Sequence, residues 1–169
     1  KKTLIALLLS LGSLSAQAAL DPAQVRQLAA EDSTDKVAAI RQLTQTADPD
    51  AVRVLKAMAE DSLFLAGDKV VIIDGDKVFD AATGAATKIP ASPESVTVNN
   101  RIRGELASAL AALKLFDSDV AVRLASAQKL QSQVTPEMAP LLARALEKES
   151  DGQIKALLTL AYAQANLKN

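Results

Sequence analysis

Residues 117–149 read DSDVAVRLASAQKLQSQVTPEMAPLLARALEKE, two amphipathic helices joined by a turn that Thr135-Pro136 marks. Each helix of such a pair presents one apolar stripe, and the pair cannot bury both stripes alone, so it requires stacked neighbours. The same chain supplies them. Segment 36–61 slides onto 123–148 at an offset of 87 without a gap: Ala38 meets Ala125, Leu43 meets Leu130, Pro49 meets Pro136, Leu55 meets Leu142 and Glu60 meets Glu147. Segment 119–125 slides onto 151–157 at an offset of 32, with Asp119 on Asp151, Val122 on Ile154 and Arg123 on Lys155.

A recurrence of roughly 30 residues lies in the range of helical repeat arrays. With an Asp before the helix and a Pro in the turn, it resembles HEAT repeats. The expected fold is mainly α: a short HEAT-like helical repeat, or α-solenoid, with a small β-hairpin or meander inserted. In such repeats the Asp caps its helix, and a basic residue in the first turn can reach neighbouring carboxylates.

The remaining segments fit that plan. Residues 1–18, KKTLIALLLSLGSLSAQA, have the anatomy of a secretory signal peptide: Lys1 and Lys2, an apolar run over 4–14, then an Ala16-Gln17-Ala18 cleavage site. A membrane anchor is the competing reading, but the run is short for about 30 Å of hydrocarbon and small residues follow it. Residues 19–169 then form a single HEAT-like domain, with the β insertion at about 63–89. Asp21-Pro22 opens a short helix over about 22–30, the next starts near Thr34 and ends at Ala47, and Asp48-Pro49 starts a third.

In the insertion, β-rich runs at 70–73 and 77–79 flank Asp74-Gly75-Asp76, a hairpin signal because Gly accepts φ > 0. Thr83-Gly84 marks a second turn, and 87–89 could add a strand. An isolated hairpin is marginal in water, so this one is expected to pack on helices. Two prolines, Pro90 and Pro93, make a linker, 96–98 stays extended, and Asn99 or Asn100 caps a long helix. That helix carries Ile102, Leu106, Leu110 and Leu113 on one face. Gly104 within it costs about 1 kcal/mol relative to Ala, which suggests a close neighbour. Asp117 or Asp119, Thr135-Pro136 and Asp151 open the last three helices.

Composition removes whole classes of chemistry. The 169 residues contain no Cys and no His, which excludes thiol nucleophiles, disulfides, His-based acid/base catalysis and zinc sites with N or S ligands. With 19 basic and 20 acidic residues the formal charge is −1, and loss of Lys1 and Lys2 with the leader makes it 17 against 20, or −3. No basic footprint for nucleic acid results, and aromatics at 2% are too few for a stacking platform.

Polar motifs carry little chemistry either. Asp74, Asp76 and Asp80 invite a calcium reading, but position 12 from Asp74 is Ala85 where a calcium loop needs a bidentate Glu, so a solvated turn is expected. Glu31-Asp32, Glu60-Asp61 and Glu147 with Glu149 read as ordinary polar helix ends. No nucleophile elbow, phosphate-binding loop or metal motif occurs, so no enzyme activity and no cofactor are expected. The most distinctive polar run is Asn99-Asn100-Arg101-Ile102-Arg103. Asn99, Asn100, Arg101 and Arg103 could contact a partner or an anion at a helix start. The alternative is structural, with Asn as the cap and the arginines paired to the hairpin or to helix-end carboxylates.

The order of parts carries a further resemblance: leader, helical pair, VVIIDGDKVFDAATGA, VTVNNRIRGELASALAALKLF, then DSDVAVRLASAQKL. It resembles the periplasmic N-terminal extension of the urea ABC-transporter permease, within the branched-chain amino-acid permease superfamily. The most specific residues are Asp74-Gly75, Thr83-Gly84, Asn99-Asn100-Arg101 and Arg103. The resemblance implies an exported, non-catalytic domain in the periplasm, the soluble part of an inner-membrane protein. Its partners would be the other transporter subunits, namely the permease and the substrate-binding protein, and it would span no membrane after leader cleavage. In that family the extension is followed by a multi-span permease, which this sequence does not include, so translocation is not assigned to these residues. A free-standing periplasmic HEAT-like adaptor is the alternative.

Overall fold

The computed structural model describes residues 19–167, so the expected leader at 1–18 lies outside the described residues. The described part is mainly helical with one small sheet. In chain order it runs α1 (Pro22–Gln27), α2 (Ser33–Thr46), α3 (Pro49–Ala59), β1 (Leu63–Ala66), β2 (Lys69–Asp74), β3 (Lys77–Asp80), β4 (Glu94–Ser95), α4 (Asn100–Leu113), α5 (Val120–Leu130), α6 (Ala139–Lys148) and α7 (Gly152–Leu167). Short 3₁₀ turns at Lys114–Phe116 and Pro136–Met138 lead into α5 and α6 respectively.

Short acidic or amide side chains start most helices, because their oxygen replaces the missing acceptor for the first N–H groups. Asp21, Asp32, Asp48 and Asp119 each accept from the backbone N–H two residues on. Asn99 accepts from the Ile102 N–H three residues on, and Asp151 from both Gln153 and Ile154. The caps recur at the sequence offsets, since Asp32 and Asp119 lie 87 apart and Asp119 and Asp151 lie 32 apart.

Thr135 is the exception and makes no side-chain cap. Pro140 sits four residues after Pro136 and has no N–H to donate back to it, so the α-ladder cannot close there and a 3₁₀ turn precedes α6. Placing the helices exposes a further correspondence at an offset of 52. Ile102, Leu106, Ala109 and Leu113 of α4 match Ile154, Leu158, Ala161 and Ala165 of α7, and the caps Asn99 and Asp151 match as well.

The sheet is antiparallel in the order β3-β2-β1-β4. Gly75 turns the β2–β3 hairpin at φ 57°, with Asp74 opposite Lys77. The expected strand at 87–89 does not form. After one bridge, Phe79 with Ala86, and a bond from the Thr87 N–H to the Val78 carbonyl, the chain leaves the sheet. Ile89 is 64% exposed there, and Pro90 next to it has no donor to continue a ladder. The fourth strand comes instead from 94–95, beyond the two prolines, where the Val96 N–H bonds the Leu63 carbonyl.

Val70 and Ile72 point from β2 into the same core as Ile40, Leu55, Met58, Ile102 and Leu106. The sheet therefore closes one side of α1–α4. A second core gathers Ala127, Leu130, Leu141, Leu142, Ile154 and Leu158 from α5, α6 and α7. The two meet along α4, whose Leu113 belongs to the first core and Ala112 to the second. Ala47, the left-handed residue that ends α2 at φ 52°, borders both. Across this seam Arg144 of α6 donates from Nη1 to the carbonyls of Gln45 and Thr46, both at 2.8 Å, capping the last turn of α2.

Candidate functional site

The Asn-Asn-Arg start of α4 is mostly a joint. Asn99 Oδ1 accepts from the Ile102 N–H at 3.0 Å, and its Nδ2 donates to Ser33 Oγ at 2.9 Å, tying the first turns of α4 and α2 together. Arg103 Nη2 reaches both carboxylate oxygens of Asp61, at 2.9 and 3.1 Å, just past the end of α3. Lys36, almost fully buried on α2, donates to the Thr97 carbonyl at 2.8 Å, and burial pulls its ammonium below the usual lysine range. Three helix ends and the strand-to-helix linker are thus fastened at one place.

Arg101 and Asn100 take no part in that joint. Both are exposed, and Arg101 makes no ion pair among the described residues, although its charge helps to lower the Asp32 carboxyl behind the Thr34 hydrogen bonds. The sequence run therefore splits into two framework residues, Asn99 and Arg103, and two solvent-facing ones. Gly104 does not mark a close approach: it is exposed, and a Cβ there would meet nothing within 4 Å.

The acidic turn motif divides in a similar way. Asp74 and Asp76 are exposed on the hairpin, whereas Asp80 Oδ1 accepts from the Ala82 and Thr83 N–H groups and from Thr83 Oγ1, closing the Thr83-Gly84 turn. Arg53 of α3 spans from Asp50 to the Ala81 carbonyl and so pins that turn to the helices. Among the described residues no group of three His, Cys, Asp or Glu could hold a metal ion.

One polar helix end proves to be interior. Glu149 is only 5% exposed, unlike the solvated terminus its sequence position suggests. Its Oε2 accepts from Arg123 Nε at 2.8 Å and its Oε1 from Arg123 Nη2 at 3.1 Å, while the Ser150 and Asp151 N–H groups bond Oε1 at 2.8 and 2.9 Å. The two arginine bonds hold the carboxyl down to about 2 against the opposing effect of burial, and the two backbone donors help. Arg123 Nη1 also donates to the Asp117 and Ser118 carbonyls. Arg123 thereby gathers the start of α5 and the α6–α7 turn. The sequence signal for this node was the basic residue in the first turn of an Asp-capped helix; nothing local identified Glu149 as its partner.

Two grooves open where the two cores meet. The first, about 600 Å³, lies between α2, α4, α5 and the turn before α6, with Ala109, Ala112, Leu130 and Met138 among its walls. Its rim carries the bidentate Arg41–Glu105 pair, 2.8 and 3.3 Å, and Glu137, whose carboxyl is lowered mainly by the Thr135 hydroxyl. The second, about 980 Å³, lies between α3, the end of α4 and α6. Both volumes are in the range that ligands occupy. Lys114 stands between them and lines both. Among the described residues no helix is long and apolar enough to cross a membrane.

Compared with family models, with curated proteins and with solved structures, the chain finds no match in any of the three.

Proposed function

We propose that this chain is a non-catalytic, exported domain with a short HEAT-like repeat, which serves as the periplasmic accessory domain of a urea ABC-transporter permease. It contributes to urea uptake through contacts with the permease and the substrate-binding protein. The repeat reading is supported by the Asp32, Asp119 and Asp151 caps at matching offsets and by the common stripe of α4 and α7.

The observation that carries the reading is where the resemblance's most specific residues sit. Asn99 and Arg103 are framework positions where α2, α3 and α4 meet, while Gly75 turns the hairpin and the Thr83-Gly84 turn is closed by Asp80 and pinned to α3 by Arg53. A motif set whose placed members have framework roles favours a shared architecture over a reaction centre. Around it, Asp61 is paired with Arg103 and Asp80 closes the Thr83-Gly84 turn, which favours a binding role over hydrolysis.

An in-frame deletion of 19–169 at the native locus, assayed for uptake of radiolabelled urea with the permease quantified by blot, tests the proposal. Uptake that falls while permease remains, or that falls with permease abundance, supports an accessory role. Unchanged uptake and abundance would sink it. The two grooves favour a second reading, a free periplasmic adaptor, and cross-linking in intact cells separates the two by whether transporter subunits or unrelated proteins are captured.

A further inference from the structure

We infer that the groove between α3 and α6 is a docking site for an acidic amphipathic helix of a partner protein. This rests on the reading of the chain as a protein-contact domain, but not on the transporter assignment. The floor is apolar and comes from both cores: Val52, Ala59, Leu110 and Leu113 belong to or flank the first, Phe116 and Ala145 the second. Four of these, Val52, Ala59, Leu110 and Phe116, stay half-buried, so the edges of both cores surface together in this groove.

Charge selects the occupant. The groove is lined by four cations and three carboxylates: Arg123 pairs with Glu149, Lys56 with Glu60 at 3.8 Å, and Asp117 accepts from the Asp119 N–H at 2.9 Å, which leaves the lining one positive charge in excess. Two exposed cations have no carboxylate partner among the described residues. Both line the groove: Lys114, and Lys148, whose ammonium lies 5.7 Å from the centre of the Phe116 ring. A partner that covers the floor must place its own charges near these two ammonium groups, and acidic flanks satisfy them whereas basic flanks are repelled.

Shape points the same way. A helix about 10 Å across would fill 980 Å³ over roughly two turns, enough to seat anchors at i, i+3 or i+4, and i+7. A flat bilayer surface would not fill a hollow of this volume. Groove walls from both α3 and α6 mean that the occupant would bridge the two cores.

The test uses the full chain and two synthetic peptides of roughly 14 residues, one with a Leu stripe flanked by Glu and one with the same stripe flanked by Lys. Fluorescence anisotropy should show the Glu peptide binding at least about tenfold more tightly, with affinity falling as salt rises. Lys114→Glu with Lys148→Glu, two exposed positions whose variants can be checked for folding by circular dichroism, should abolish or reverse that preference. A photo-crosslinker in the Leu stripe should label α3, α6 or Phe116. The inference is overturned if the Glu peptide does not bind, if both peptides bind equally, if labelling falls on the α2–α5 groove, or if anionic vesicles bind through the same two lysines. None of those outcomes alters urea uptake after deletion, so failure here is distinct from failure of the transporter reading.

Discussion

Arg123 and Glu149 form a bidentate pair at 2.8 and 3.1 Å between the first turn of α5 and the residue after α6, with the carboxylate almost wholly inside the protein. Sequence distance hides the relationship, since 26 residues separate the partners. Its role is positional: it fixes the turn that launches α7 against the helix that begins the second core.

Removing one partner of a buried pair strands the other charge, which is more damaging than removing both. Arg123→Ala is therefore expected to lower the urea midpoint several times more than Arg103→Ala, whose pair with Asp61 is about half exposed and worth about 0–1 kcal/mol. Equal shifts from the two variants would show that the Arg123 pair is no more than a surface contact.

The same node predicts the acid response. Glu149 binds its proton at about 2 when folded and near 4.5 when unfolded, so the unfolded chain takes up protons first as pH falls. The stability it contributes is complete above about 4.5 and is lost progressively as pH drops toward 2. Denaturant melts at several pH values should show this slope in the wild type and a flatter one in Glu149→Gln. Parallel profiles would assign the acid sensitivity to other carboxylates.

Leu55 of α3 and Leu142 of α6 occupy matching positions in the two segments aligned at an offset of 87, and both are 0% exposed. Truncating either to Ala should cost about 2–5 kcal/mol, the range for a buried Leu. A loss below about 1 kcal/mol at one site, measured by chemical denaturation, would mean that its stripe repacks freely and the two positions are not equivalent.

Within the Asn-Asn run the two amides should behave differently. Asn99→Ala loses the cap on Ile102 and the bond to Ser33, and is expected to cost about 0.5–2 kcal/mol, while exposed Asn100→Ala should stay within about 0.5 kcal/mol. Thermal melts of the two single variants suffice. A larger effect at Asn100 would move the joint to the wrong residue.

What could be read from the sequence was local. Asp21, Asp48, Asn99, Asp119 and Asp151 announce their helices because capping is settled within three residues, and Gly75 announces its hairpin for the same reason. What could not be read was pairing over distance. Strand β1 finds β4 about 30 residues away across Pro90 and Pro93, and no short pattern encodes that contact. The Thr135-Pro136 start looked like its mate at Asp48-Pro49, but Pro140 changed the first turn of α6. The candidate site followed the same division. The polar run was visible, but the use of Asn99 and Arg103 depended on Ser33 and Asp61 from other helices, and the grooves exist only after both cores are assembled.

Arg144 couples the two halves of the protein. Its guanidinium sits on α6 but completes the hydrogen bonding of α2, so unravelling the second core strips the last turn of a first-core helix. Ala47 next to that turn, and α4 running through both cores, tie the halves further. Local opening in one half is therefore expected to weaken the other. A chain severed between α4 and α5 would leave two fragments that each lack part of their own support.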